Sequence, residues 1–368
     1  MSKASELANL IGNINAGGGG VNRNLMINGA MNVAQRGTSV ASLVDTSGYK
    51  TCDRWFFNVY SGTFTQSQSS DAPDGFANSI KFDCTTAETP GGADQTALYQ
   101  HMEGQNIQAI KKGTSEAKPL VASFWVKSTV TGTACVELVD NDSSYRTNSQ
   151  SYTINSANTW EHKTVTFPPD TGGSTMDNDN ASSMYFAFWL VAGGNYTSGT
   201  LQTSWGSITN ANRAVGQTIN IGSSTDNNFY LTGVQLEVGQ NPTEFEHEPF
   251  ERTLAKCKRY FERINSLSSS SSIIGVGFQY NNDPQSVYQS RFSEKRTTPS
   301  LAVSNVSHLQ RIRAGTSDVS SNISSISFSG TSKIGTLHDV SSQSNNIGDG
   351  AYLRFQSTDG TLDYDAEL

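Results

Sequence analysis

Apolar and polar positions alternate with a period of two through most of this chain, and the helical period replaces it in only two places. The first is at the N-terminus. Leu7, Leu10, Ile11 and Ile14 fall at i, i+3, i+4 and i+7 and so share one face of a predicted helix. So short a helix is marginal alone in water, which makes docking on another protein or on its own symmetry mates the expected stabiliser. Gly17 to Gly20 follow as a hinge, and no Lys-Ser/Thr pair follows them as a phosphate-binding loop requires. Residues 1–23 therefore read as an attachment helix and hinge.

Residues 24–248 alternate short strand-like runs with Gly, Asn, Ser and Pro turns, the pattern of an all-β sandwich. In Leu120 to Lys127 the set Leu120, Ala122, Phe124 and Val126 is expected inside, with Ser123, Trp125 and Lys127 outside. Met184 to Val191 is apolar in both phases, so it is expected to be a central strand covered by loops or by a neighbouring subunit. Phe229 and Leu231 occupy one phase and Val234, Leu236 and Val238 the other. Gly233 lies at the switch, which predicts a β-bulge.

The second helical stretch, residues 249–265, opens on Pro249. Phe250, Leu254, Cys257, Phe261 and Ile264 are spaced alternately by four and three, which predicts a coiled-coil seam joining identical chains. Packing of the same helix on its own sandwich is the alternative. Arg252, Lys256, Lys258, Arg259 and Arg263 would line its wet face. Ser266 to Ser272 read as a flexible linker, and residues 266–368 as a smaller β-sandwich with strands near 273–280, 300–305, 323–328, 351–356 and 361–368. A unit of that size leaves much of its surface exposed, so packing among copies would help it.

Composition narrows the function. Hydrophobic residues are 35% and charged residues only 16% of the 368, leaving Ser, Thr, Asn, Gln and 33 Gly to make a polar, uncharged surface. A net charge of −8 lacks the basic footprint that nucleic-acid binding needs. No apolar run approaches a membrane span and no signal-peptide core follows the N-terminus, so the expectation is folding in the cytoplasm without membrane insertion. Cys52, Cys84, Cys135 and Cys257 form no CxxC pair and are expected as buried thiols.

Catalytic signatures are missing. There is no Gly-x-Ser-x-Gly and no His-Glu-x-x-His, and His101, His162, His247, His308 and His338 are scattered. Asp140, Asp142 and Ser144 begin like a calcium loop, but Tyr145 stands where the turn Gly belongs and Ser151 where the closing Glu belongs. Asp177 and Asp179 fail likewise. Glu244, Glu246 and Glu248 flank Phe245 and His247, and are expected on a solvated strand or paired with the basic side chains that follow, rather than as a glycosidase carboxylate pair. No fixed-period repeat marks a depolymerase β-helix. The expectation is a protein without enzymatic activity, cofactor or metal.

Three groups of residues carry a family likeness. Asn24-Leu25-Met26-Ile27-Asn28-Gly29-Ala30-Met31 with Gln35-Arg36-Gly37 and Asp53-Arg54-Trp55 resembles the opening of phage tail fibre proteins, especially those of marine phages. Gln235-Leu236-Glu237-Val238-Gly239, Pro242 to His247 and Cys257-Lys258-Arg259-Tyr260-Phe261 resemble that family's sandwich end and connecting helix, and Asp365-Ala366-Glu367-Leu368 a fibre tip. Phe124 to Lys127, Trp160 to Phe167 and Phe229 to Glu237 are similar to strands of carbohydrate-binding-module jelly rolls.

The resemblance implies a homotrimeric virion protein of the tail. Its N-terminal helix would attach to other phage tail proteins and its tip would reach a host cell-surface glycan or protein. Trp125, Tyr196 and Trp205 are candidates for stacking on sugar rings, with Asn and Gln neighbours for the hydroxyls. Tyr280, Asn282, Tyr288, His308, Arg311, Arg313 and Tyr352 are the receptor-contact candidates at the tip. A structural spacer or collar protein is the competing reading, and a glycan hydrolase or esterase the enzymatic one.

Overall fold

The computed structural model describes residues 3–5, 7–8, 11, 22–266, 272–279, 285–313, 320–329, 331–333, 335–341 and 350–368. The chain divides into two compact units, Met1–Thr253 with Leu368, and Leu254–Glu367.

The first unit holds strands β1 (Ser39–Leu43), β2 (Thr46–Tyr49), β3 (Phe56–Val59), β4 (Thr63–Ser69), β5 (Ser79–Thr86) and β6 (Gln95–Glu103). After them come β7 (Leu120–Ser128), β8 (Gly132–Asp140), β9 (Arg146–Ile154), β10 (Glu161–Phe167), β11 (Ser182–Ala192), β12 (Gly206–Ser207) and β13 (Asn228–Val238). They form a six-stranded sheet, β1-β4-β5-β13-β7-β10, and a seven-stranded sheet, β12-β9-β8-β11-β6-β3-β2. Every second residue of each sheet faces the other. Trp55, Phe57, Phe82, Phe124, Phe186, Phe188 and Leu231 are fully buried between them. Edge-to-face packing orders this core, with Phe124 and Phe188 centroids 5.0 Å apart at 88°.

On β7, Leu120, Ala122, Phe124 and Val126 point inward and Trp125 outward, as the alternation predicts. On β13 the register slips between Thr232 and Gln235. Gly233 sits there with φ of +61°, and a Cβ would lie 2.7 Å from Phe76 Cζ and 3.0 Å from Trp125 Cδ1. Both the left-handed backbone and the missing side chain are therefore required. Gly233→Val is expected to lower unfolding stability by roughly 1–3 kcal/mol, read from a denaturant midpoint, because a β-branched residue is strained in that conformation.

Strand β11 is central, between β8 and β6. Near its end its outer face is covered by the same chain: Trp189 packs with Cys135 on β8 and with Ala214, Tyr196 and Leu201 from loops. All four cysteines are free and buried, and burial pushes the thiols of Cys52 and Cys135 up to about 12. The family-like segments near the start form one hydrogen-bonded knot. The Asn28 side-chain amide donates to the carbonyls of Val33 (2.9 Å) and Asp53 (3.1 Å), Trp55 Nε1 donates to the Asn28 carbonyl (3.1 Å), and the Asp53 carboxylate accepts from the Gln35 backbone N–H (2.9 Å). These residues hold the fold and expose little for a ligand.

The second unit is also a small β-sandwich. Its strands are β14 (Phe261–Asn265), β15 (Ile273–Gln279), β16 (Gln285–Arg291), β17 (Ser300–Val303), β18 (Leu309–Arg313), β19 (Ser320–Asn322), β20 (Ser325–Ser329), β21 (Gly335–Ser341), β22 (Gly350–Phe355) and β23 (Thr361–Asp365). A three-stranded sheet, β14-β23-β17, and a seven-stranded sheet, β19-β18-β22-β15-β16-β21-β20, enclose Tyr288, Leu309, Leu353, Phe355, Leu362 and Tyr364.

Two expectations need correction. The helix after Pro249 runs only over Phe250–Lys258, and Phe261 and Ile264 lie on β14, paired with Asp365 and Leu362. No heptad seam can therefore continue through them. Within the helix Thr253 and Cys257 are buried, Leu254 is half-buried and Phe250 is 52% exposed, so the covered side coincides with the predicted stripe only in part. The domain boundary moves accordingly from the Ser-rich linker to Thr253/Leu254, because β14 belongs to the second unit's sheet. Leu7 and Ile11 are helical and exposed, while Leu10 and Ile14 lie outside the described residues.

Candidate functional site

The outward face of the seven-stranded sheet carries an aromatic groove. The period of two brings Phe56 and Asn58 on β3, Ala97, Tyr99 and His101 on β6, Tyr185 and Ala187 on β11, and Glu137 on β8 to that face. Register sets the rings side by side: Phe56 opposes Tyr99, and Tyr185 opposes His101. Centroids are 6.0 Å apart for Phe56–Tyr99, 5.5 Å for Tyr99–Tyr185 and 5.3 Å for His101–Tyr185. The small Ala97 and Ala187 leave the depression between them. A cavity of about 260 Å³ results, lined by Ser47, Phe56, Asn58, Gln95, Tyr99, His101, Tyr185 and Arg213.

One ion pair fixes its floor. Arg213 Nε donates to both Glu137 oxygens (3.0 and 3.2 Å) and its Nη2 to Glu137 Oε2 (2.8 Å), with both residues buried. Glu137 also accepts from Thr147 Oγ1 at 2.7 Å. The guanidinium lies over the rings of Trp189 (5.0 Å) and Tyr196 (5.8 Å) and reaches the Tyr185 hydroxyl at 3.4 Å. Asn58 Nδ2 donates to the Tyr99 hydroxyl at 3.3 Å. Gln95 Oε1 is buried and accepts no hydrogen bond among the described residues.

Electrostatics make the groove neutral. Burial pushes the Tyr99 phenol up to about 12 and raises that of Tyr185. Burial opposes the charge on Arg213, but the Glu137 carboxylate outweighs it and keeps the guanidinium protonated. Burial first, and the Arg54 charge second, lower His101 to about 4.

His101 has a pH consequence. Its folded pKa lies below that of the unfolded chain, so the unfolded state takes up the proton first as pH falls. The stabilisation is complete above about 6.5 and is lost on the way down to about 4. His101→Phe is expected to flatten the pH dependence of the melting temperature in that window relative to the parent chain, and an unchanged slope would dismiss this assignment. His162, also lowered by burial, remains as the internal comparison.

The sequence-predicted stacking residues are not brought together. Tyr196 packs on Trp189 at 5.2 Å, beside the groove. Trp205 is half-buried, donates from Nε1 to the Pro168 carbonyl at 2.8 Å and packs on the core. Trp125 lies on the six-stranded sheet, its ring 5.2 Å from His162. Among the tip candidates, Tyr288 and Arg311 are buried inside the second unit and do not face a receptor, since their strand phases point into its core. His308 and Tyr352 are half-buried; Tyr280, Asn282 and the Arg313 side chain lie outside the described residues.

The acidic candidates have structural partners. Lys112 places its buried ammonium on the Asp140 carboxylate, where the calcium-loop pattern would put an ion. Glu246 accepts from the backbone N–H groups of Asn22 (2.6 Å) and Asn24 (3.0 Å), and Glu248 faces Arg252 at 3.5 Å. Among the described residues no three His, Cys, Asp or Glu side chains could hold a metal ion together.

The groove residues Phe56, Asn58, Tyr99, Tyr185 and Arg213 were not singled out by sequence reasoning. The available signal was aromatic residues in the outward phase of strands with alanine two positions away, as in Ala97-Leu98-Tyr99 and Tyr185-Phe186-Ala187.

No family model and no curated protein matches the chain. Among solved structures, the enzymatically active domain of bacteriophage CBA120 tailspike protein 4 aligns at 12% identity with a TM-score of 0.31, over 58% of this chain and 21% of that one. The aligned part thus spans about a fifth of the tailspike chain. A protein from Bacteroides thetaiotaomicron VPI-5482 aligns at 13% identity and a TM-score of 0.35, over 59% of this chain and 100% of its own. The family 11 carbohydrate-binding module of a cellulosomal cellulase of Clostridium thermocellum aligns at 14% identity and a TM-score of 0.28, over 55% of this chain and 95% of its own.

Proposed function

We propose that this chain is a virion tail-fibre protein that binds a cell-surface glycan through the groove of its first unit, without cleaving it. The tail-fibre part rests on the residue resemblances above, and the glycan part on one observation: Phe56, Tyr99 and Tyr185 line a shallow neutral depression edged by the Asn58 and Gln95 amides. Aromatic rings offer apolar area to sugar C–H groups, and amides exchange hydrogen bonds with hydroxyls. So open a site binds a glycan weakly. Several identical copies on one particle would raise the effective concentration and make weak contacts sufficient.

A homotrimer is part of the proposal. Supporting it, Ile273, Val276 and Phe278 on β15 are 60%, 66% and 51% exposed, an apolar strip of the kind that marks a protein contact. The exposed Leu7 and Ile11 similarly support docking of the N-terminal helix on another tail protein.

The deciding experiment is adsorption of purified chain to host cells. Tyr99→Ala with Tyr185→Ala is expected to lower adsorption about tenfold or more, the loss of roughly 1.4 kcal/mol per decade, with circular dichroism unchanged. Undiminished adsorption would remove the groove from the proposal. Release of soluble sugar from host glycan would replace binding by hydrolysis, and light scattering that finds single chains at working concentration would remove the trimer.

A further inference from the structure

We infer that the groove selects uncharged glycans and rejects acidic ones, because its floor cation is already neutralised by a carboxylate of the same chain. This deepens the glycan-binding reading and rests on it. The groups that line the cavity are a hydroxyl (Ser47), two amides (Asn58, Gln95), two phenols (Tyr99, Tyr185), a phenyl ring (Phe56), an imidazole (His101) and one guanidinium (Arg213). Only Arg213 is charged. Its Nε and Nη2 hydrogens are directed at Glu137, and Nη2 also reaches the Tyr185 hydroxyl. A uronate or sulfate entering the groove would lose water and meet a cation whose charge the bonded Glu137 carboxylate already balances.

The rest of the floor fits the same selectivity. Tyr99 carries its phenolic proton and His101 is uncharged at neutral pH, so each presents one donor or acceptor without charge. Arg36 stacks over Tyr49 at 5.3 Å, one strand beyond Phe56, and is not among the groups that line the cavity.

The test uses the full chain on an array that pairs each neutral oligosaccharide with its uronate or sulfated counterpart. The parent protein is expected to hold the neutral member at least about tenfold more tightly, with little dependence on salt, since no counter-charge is formed. Glu137→Gln keeps an acceptor for Arg213 but frees its charge. It is expected to gain about tenfold or more on the acidic members, in a salt-dependent manner. Acidic members held equally well by the parent chain, and lost with Tyr99→Ala, would overturn the selectivity while leaving the groove in place. Retention indifferent to Tyr99→Ala and Tyr185→Ala, or no retention of any member, would overturn both. Should Glu137→Gln fail to fold, the parent chain's neutral-to-acidic ratio decides alone.

Discussion

Replacing Lys112 by methionine is expected to destabilise the first unit by about 3–5 kcal/mol, the usual effect of removing one partner from a buried ion pair. The Lys112 and Asp140 side chains have no exposed area. The ammonium also donates to Ser143 Oγ (2.5 Å) and to the Ser174 carbonyl (2.8 Å), so it ties the end of β8 to two loops. Next to it, Arg146 clamps Asp170 at 3.0 and 2.7 Å. Methionine fills the channel but leaves the Asp140 carboxylate buried without its counter-charge. The loss therefore comes from an uncompensated charge rather than from a hole. Lys112→Met with Asp140→Leu is expected to recover a large part of it. Urea unfolding of the two variants measures this, and a single-variant loss below about 1 kcal/mol would mean that water reaches the pair.

The second large effect is expected at Glu137→Ala, again about 3–5 kcal/mol. Here the stranded group is Arg213, 8% exposed and packed over Trp189. Thr147 Oγ1 loses the nearer of its two acceptors and keeps the Leu138 carbonyl at 3.1 Å. Unlike the Lys112 variant, this one is expected to disturb binding together with stability, because the guanidinium that moves also contacts Tyr185 and Tyr196. Trp189 is one of five tryptophans, so the variant-minus-parent difference in tryptophan fluorescence is the readout. Adding Arg213→Met should restore most of the stability and little of the binding. Full recovery of binding in the double variant would mean that the pair does not position the rings.

Most of the sandwich was legible along the chain because each strand's inward set is written in its own alternation. The phase switch at Gly233 could be read for the same reason: the slip, the glycine and the two hydrophobic phases are neighbours in sequence. The stretch from Cys257 to Ile264 misled because Cys257, Phe261 and Ile264 satisfy a helical seam, while Phe261 and Ile264 suit a strand equally well. What settles it is distant, since β14 finds its partner in β23. The groove was illegible for a related reason. Its walls come from β3, β6, β8 and β11 and from the loop carrying Arg213, and only the order β8-β11-β6-β3 makes them neighbours. The tip candidates are polar or aromatic residues near predicted turns, and a buried Arg311 facing Tyr288 departs from the rule that arginine stays at the surface.

Strand β23 lies between β14 and β17. Its first neighbour departs from it by roughly a hundred residues of intervening chain, so that sheet carries a high contact order and closes slowly. Until it closes, Leu362 and Tyr364 are missing from the core they complete, and β14 and β17 have no partner between them. The second unit thus has a long interval in which bare strand edges can pair with those of another nascent copy, and proper assembly becomes a race between self-closure and encounter.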